Sequence, residues 1–414
     1  MSLTFGPGLI DSIRLRDRYY NDDLATGSND GTSEANAWQS LADMVAGAVP
    51  GDHVWCKKTA SPITVSANTD LPSGDIQAPI VYQGYGSEIG DGTKCIFACG
   101  AGGNIIEINP GNVLVDLSFT GTSVTSYTVL KNVGNATIVR CAFTSDNNAE
   151  SCRGTEGAFV ACTFNNTGTF VTSGYEAVSI SSGTLIGCKM QSEGECIEAS
   201  HVDEGDVNVF IGNVVISDSS EARTCIECEG GQVESAVVAI FENSCWGGSV
   251  GIEITDYPST KEYGSAIMYN ICAGCDQGID ALDLTNQEYP CILKNAYGAN
   301  TTGDIGTGFS ADVSERFDDL TLSGLPYATT TALDLDATAG EGAACRSTAS
   351  IGYLSGSGTE LVSGAFSYGA HREGTDDSGD ADSLVGFTQQ TGGGAALAGK
   401  DFGMLPLNKT SEIG

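Results

Sequence analysis

The feature that most constrains this chain is a short repeat. One five-residue pattern, apolar–x–(Cys or Asn)–x–apolar, recurs between about residues 113 and 300. It begins with Val115-Asp-Leu117-Ser-Phe119, where Leu holds the centre, and continues through Val139-Arg-Cys141-Ala-Phe143, Val160-Ala-Cys162-Thr-Phe164 and Ile186-Gly-Cys188-Lys-Met190. It then runs through Ile211-Gly-Asn213-Val-Val215, Phe241-Glu-Asn243-Ser-Cys245, Met268-Tyr-Asn270-Ile-Cys272 and Leu293-Lys-Asn295-Ala-Tyr297. The centres are 21 to 30 residues apart. Each match alternates with period two and reads as one short strand whose odd positions share a face. A repeat of that length with a short strand in each unit means a solenoid.

Gly-rich, Pro-poor turns (55 Gly against 10 Pro) and the absence of long helical periodicity select a β-solenoid over helical repeats. The fold class is therefore all-β: a single-stranded parallel β-helix with an N-terminal capping helix and a C-terminal extension. Stacked coils bring Cys141, Cys162 and Cys188 into one column and Asn213, Asn243, Asn270 and Asn295 into another. Buried cysteines act as small apolar fillers, and stacked asparagines satisfy one another's amides.

A second series carries charge. It reads Ile197-Glu198, Ile226-Glu227, Ile252-Glu253 and Ile279-Asp280, at steps of 26 to 29 residues. If the isoleucines face the core, the carboxylates form a row along the outside. Stacked carboxylates raise one another's pKa unless a cation sits between them. Glu198, Glu227, Glu253 and Asp280 are thus the catalytic candidates, and Glu227, Glu253 and Asp280 the candidate Ca²⁺ ligands. The bland alternative is a solvated acidic face. Cys196 and Cys225 precede this row one coil apart, a separation that allows an outward disulfide. The pairs Cys225/Cys228 and Cys272/Cys275 look like half zinc sites, but no His is near and the gap is too long for a zinc ribbon.

The ends fit a solenoid, which must cover its first and last coils. Residues 36–49 place Trp38, Leu41, Val45 and Ala48 at helical spacing, Pro50-Gly51-Asp52 stops the helix, and His53-Val-Trp55-Cys56 starts a strand. The expected division is an arm and opening loop over 1–35, a capping helix and turn over 36–52, the β-helix with its closing segment over 53–372, and a Gly/Ala-rich extension over 373–414.

The stretch from Tyr19-Tyr20-Asn21-Asp22-Asp23 through Gly27 and Gly31, followed by Ala37-Trp38 and Pro50-Gly51-Asp52, resembles the opening of pectin-lyase-like right-handed parallel β-helix proteins. Leu333 to Arg346 and Phe366-Ser-Tyr-Gly-Ala-His371 resemble a closing segment common in phage-encoded and environmental-bacterial members. The resemblance spans most of residues 19–372. It implies the fold and a phage setting, and it transfers no catalytic residue, because the fold hosts enzymes and inert virion parts alike. A lyase on this fold would resemble a groove with acidic Ca²⁺ ligands and a basic residue, here Lys189 or Arg223. Its glycan would need exposed aromatics such as Trp246, Tyr257 or Tyr263.

Charge narrows the partners. Lys and Arg total 18 against 53 Asp and Glu, a net charge of −35. Nucleic acid and anionic membrane both demand clustered cations, and neither is expected as a partner. The N-terminus has no unbroken apolar run, with Arg14, Arg16 and Arg18 standing where a signal peptide would be hydrophobic, and no window is long and apolar enough to span a membrane. The expectation is a phage virion structural protein made in the host cytoplasm: a capsid decoration, head-fibre or tail-spike component. It would be a homotrimer that contacts capsid proteins and needs no cofactor. The alternative is a carbohydrate-active β-helix that acts on or binds a surface glycan, with Ca²⁺ as its cofactor.

Overall fold

A computed structural model describes residues 15–327, except 76, 100–104, 122–129, 133, 146–150, 168–175, 203–206, 219–222, 231–236, 256–263, 283–290, 294 and 307–318. Beyond 327 it describes Leu333, Cys345 and four short strands between 349 and 366. The chain is a parallel β-solenoid. A nineteen-stranded sheet and an eleven-stranded sheet form its walls, and their pairings are parallel, with one register shift after Ala199.

A coil contributes three strands. One example is Leu130–Asn132, Ala136–Val139 and Ala142–Ser145. The leading and middle strands belong to the large sheet, and the trailing strand to the smaller one. In the next two coils the leading and middle strands run together, as Cys152–Val160 and Val178–Ile186.

The five-residue pattern is a corner and not a single strand. Its second residue adopts positive φ at Asp116, Arg140, Ala161, Gly187, Gly212, Glu242 and Tyr269, with values between 51 and 63°. That left-handed residue ends the middle strand and redirects the chain into the trailing strand. The central residue then points inward at the bend. One continuous column results: Cys141, Cys162, Cys188, Asn213, Asn243, Asn270 and Asn295 follow each other coil by coil, each carbonyl accepting from the backbone of the next coil. The cysteines and asparagines expected in two columns share one.

The asparagines are fully satisfied. Asn243 Nδ2 donates to Phe210 O (2.9 Å) and Asn270 Oδ1 (3.0 Å), while its Oδ1 accepts from Asn213 N (3.0 Å) and Asn213 Nδ2 (2.8 Å). Asn270 repeats the arrangement on Asn295, and Asp319 Oδ1 caps the run by accepting from Asn295 N at 2.8 Å. Cys162 and Cys188 aim Sγ at the equivalent carbonyls, Ile138 O and Phe159 O, at 3.4 and 3.5 Å. Thiol and amide thus solve one problem: an inward corner side chain must meet the carbonyl of the coil below.

Inside the smaller sheet, Phe97, Phe119, Phe143 and Phe164 stack at centroid spacings of 5.6, 5.4 and 4.9 Å. Met190, Val215, Cys245, Cys272 and Tyr297 continue that column.

At the N-terminal end, Arg16–Tyr20 pairs with Asp52–Lys57 as the first strand of the large sheet, so the solenoid begins inside the segment read as an arm. The capping helix is shorter than expected, Leu41–Gly47, because Ser40 caps it: its hydroxyl accepts from Asp43 N at 3.1 Å. Trp38 is buried just outside the helix, bridged to Tyr20, and Met44 and Ala48 form the buried side. The helix ends at Ala48, which is extended and whose N–H donates to Met44 O, and Gly51 at φ 86° turns the chain into the next strand.

At the other end, Tyr327, Leu333 and Cys345 lie over the outer face of the smaller sheet, where Ile216, Ile271, Ala273, Ala296 and Leu322 form a second apolar cluster. The strands from Ala349 to Phe366 pair antiparallel in two separate ribbons. Residues 373–414 lie outside the described residues. Among the described residues no helix is long and apolar enough to cross a membrane.

Candidate functional site

The leading strands position the carboxylate row. In each, the buried isoleucine (Ile197, Ile226, Ile252 or Ile279) is followed by an acid that faces outward. Strand pairing sets Glu198 beside Glu227, Glu227 beside Glu253, and Glu253 beside Asp280. All four are half-buried.

Glu253 is the best defined. Thr224 Oγ1 donates to its Oε2 at 2.7 Å. Burial pushes the Glu253 carboxyl above the ordinary range, the Thr224 hydroxyl pulls it partly back, and the Asp280 charge adds to the rise. Asp280 lies over Gly306, where a Cβ would fall 1.6 Å from its Oδ1.

The row extends further than the four acids. The same outward register runs Asp70, Glu107, Lys131, Arg153, Ser179 and then Glu198. Lys131 Nζ is 3.5 Å from Glu107 Oε2. Sequence reading missed Lys131 and Arg153, although the signal was present: each follows an inward apolar residue, Leu130 or Cys152, as each Glu follows its Ile. The two cations sit one coil apart, with only Ser179 between Arg153 and the acids.

The cations expected to serve as bases are elsewhere. Lys189 opens a trailing strand between Thr163 and Val214, on the smaller sheet. Arg223 reaches Glu195 at 3.6 Å. Trp246 is also on the smaller sheet, partly buried against the second apolar cluster with Gly274 packed on its indole. It therefore does not line the carboxylate row. Tyr257 and Tyr263 lie outside the described residues. The outward aromatic cluster that the structure does show is at the first coils, where His53 and Trp55 stack at 3.8 Å and Trp55 Nε1 donates to Asp17 Oδ1 at 2.9 Å.

Cys196 and Cys225 are stacked neighbours, as their spacing implied, but both are fully buried free thiols and not an outward disulfide. Cys225, Cys228, Cys272 and Cys275 are buried too. Thr224, Cys225 and Ile226 are consecutive buried residues, and Gly274 turns the chain at φ 72° before Cys275; both break simple alternation. Burial pushes the Cys95 and Cys99 thiols up to about 12. Among the described residues no three His, Cys, Asp or Glu side chains come together as a metal-holding group.

No family model matches the chain, and no curated protein matches it. Among solved structures it is similar to the crystal structure of pectate lyase Pel9A, with a TM-score of 0.48 and 14% sequence identity, over 88% of this chain and 98% of that one. The strand pairings of this chain by themselves establish a parallel β-solenoid.

Proposed function

We propose that this chain is a structural protein of a phage virion, a capsid decoration, head-fibre or tail-spike component that assembles as a homotrimer and contacts capsid proteins. The observation that carries this is the internal bonding of the solenoid: a column of thiols and amides joins the coils from Cys141 to Asn295, and stacked rings join those from Phe97 to Phe164. A rod built this way is stiff without a ligand. Its charge of −35 keeps many copies soluble before assembly and repels packaged nucleic acid. The phage setting rests on the resemblance of the chain's two ends. The test is copurification: an antibody against the chain should label gradient-purified particles at a fixed copy number. Absence from intact particles overturns the proposal.

One observation favours a second reading, a carbohydrate-active β-helix. Arg153 and Lys131 stand in the same outward row as four carboxylates, one of them, Glu253, with a raised pKa. An anionic sugar chain lying along the solenoid axis would meet the cations first and the protonatable acid a few coils later. Product release from acidic polysaccharides, lost in Arg153→Ala and Glu253→Gln, would establish that reading.

A further inference from the structure

The middle strands break the rule that the leading strands obey. On the leading strands one outward column runs from Asp70 to Asp280, and every position in it except Ser179 bears a charge. A middle strand is apolar on both sides. Leu114, Ile138, Phe159, Leu185, Phe210 and Ile240 point inward and are fully buried. Between them, Gln83, Val115, Val139, Val160, Ile186, Ile211, Phe241 and Met268 form one outward column, apolar but for Gln83 at its start. A parallel column from Val81 to Ala266 holds only Val, Thr and Ala. No charge occurs in either column over these coils, in a chain with 53 Asp and Glu.

Parallel strands that read as unbroken apolar runs are characteristically covered on both faces. This chain shows what covering does. Where Tyr327, Leu333 and Cys345 lie on the smaller sheet, the outward Ile216, Ile271 and Ala296 are at most 1% exposed. Val160, Ile186, Ile211 and Phe241 remain half-exposed. Among the described residues the self-covered patch reaches as far as the corner, where Met268 touches it.

We propose that this stripe is the surface through which a second copy of the chain binds. Two features select a like copy as the occupant. A partner with a charge of −35 can approach closely only where no carboxylate is buried, and this stripe offers that on both molecules. Seven coil steps of about 4.8 Å by two outward columns make a surface about 35 Å long and about 14 Å wide. That is roughly 500 Å² on each copy and roughly 1,000 Å² across a contact, the size at which specific interfaces begin.

The inference deepens the self-assembly part of the function proposed above and fails separately from it. Light scattering of the purified full chain should give a mass of more than one copy. The Ile186→Glu/Ile211→Glu double variant should be monomeric with an unchanged circular dichroism spectrum, whereas Thr163→Glu on the smaller sheet should leave the mass as it was. If the double variant fails to fold, Ile186→Thr keeps β-branching and should weaken association by about tenfold on dilution, the weight of one central anchor. A wild-type monomer overturns the inference, with residues 373–414 or another protein then the cover. A double variant that folds and stays oligomeric overturns it as well. Absence of the chain from virions would sink the function proposal while leaving the oligomer result intact.

Discussion

The two halves of the solenoid hold their coils together by different means. Up to about Cys188 the corner column is thiol, and the interior of the smaller sheet is a stack of phenyl rings. From Asn213 onward the corner is a hydrogen-bonded amide ladder, and the interior shrinks to Val215, Cys245 and Cys272 before Tyr297. Cohesion is volumetric in the first half and directional in the second. A thiol gives the carbonyl beneath it a weak partner, so large ring contacts supply the adhesion; an amide with four good bonds tolerates a smaller interior.

The largest expected effect probes the rings. Phe143→Ala removes the ring between Phe119 and Phe164 and should cost about 3–5 kcal/mol in chemical denaturation. Cys245→Ala, in the same column of the other half, should cost about 1–2 kcal/mol. Equal costs would break the comparison.

Next comes the ladder. Asn243→Ala removes the acceptor for two Asn213 donors and leaves Phe210 O without its amide, so the cost should be about 3 kcal/mol. Cys162→Ala at the equivalent corner should cost about 1 kcal/mol, measured the same way.

A graft sharpens the point. Cys188 N already donates to Asn213 Oδ1 at 2.8 Å, and its Sγ faces the carbonyl an amide would use. Cys188→Asn should therefore extend the ladder by one coil and change stability by less than about 1 kcal/mol. A large loss would mean that the rings of the first half leave no room for an amide.

The smallest effect is at the carboxylate row. The folded chain holds the Glu253 proton more tightly than the unfolded chain does, chiefly through burial. That contribution is fully present below the ordinary carboxylate range and is lost as pH rises through the raised value. Glu253→Gln, neutral at every pH, should raise the melting temperature at pH 7 by about 1 °C, a figure discounted for partial exposure. The gain should vanish near about pH 3, where wild-type Glu253 is itself protonated. Calorimetry at both pH values checks it.

Much of this was legible in the sequence for a local reason. Alternation within a strand is fixed by the backbone, so Ile197-Glu198 and its three successors announce their inside and outside without reference to anything distant. Near-constant coil length then stacks them, which is why the four carboxylates were placed correctly. Lys131 and Arg153 obeyed the same rule but were hidden, because the residues before them are Leu130 and Cys152 and not Ile. Corners were illegible for the opposite reason. A left-handed residue at Arg140 or Glu242 changes the chain's direction between two apolar residues that look like one strand.

The sequence by itself therefore determined the solenoid, the inward thiols and amides at its repeats, and the outward acids, since each follows from periodicity and coil spacing. Only the tertiary structure decided that thiols and amides share one column, that Cys196 and Cys225 face inward, and that Tyr327, Leu333 and Cys345 pack on the smaller sheet. Those outcomes depend on how strands turn at corners and on which distant residues pack against an outward face, and no local pattern records either.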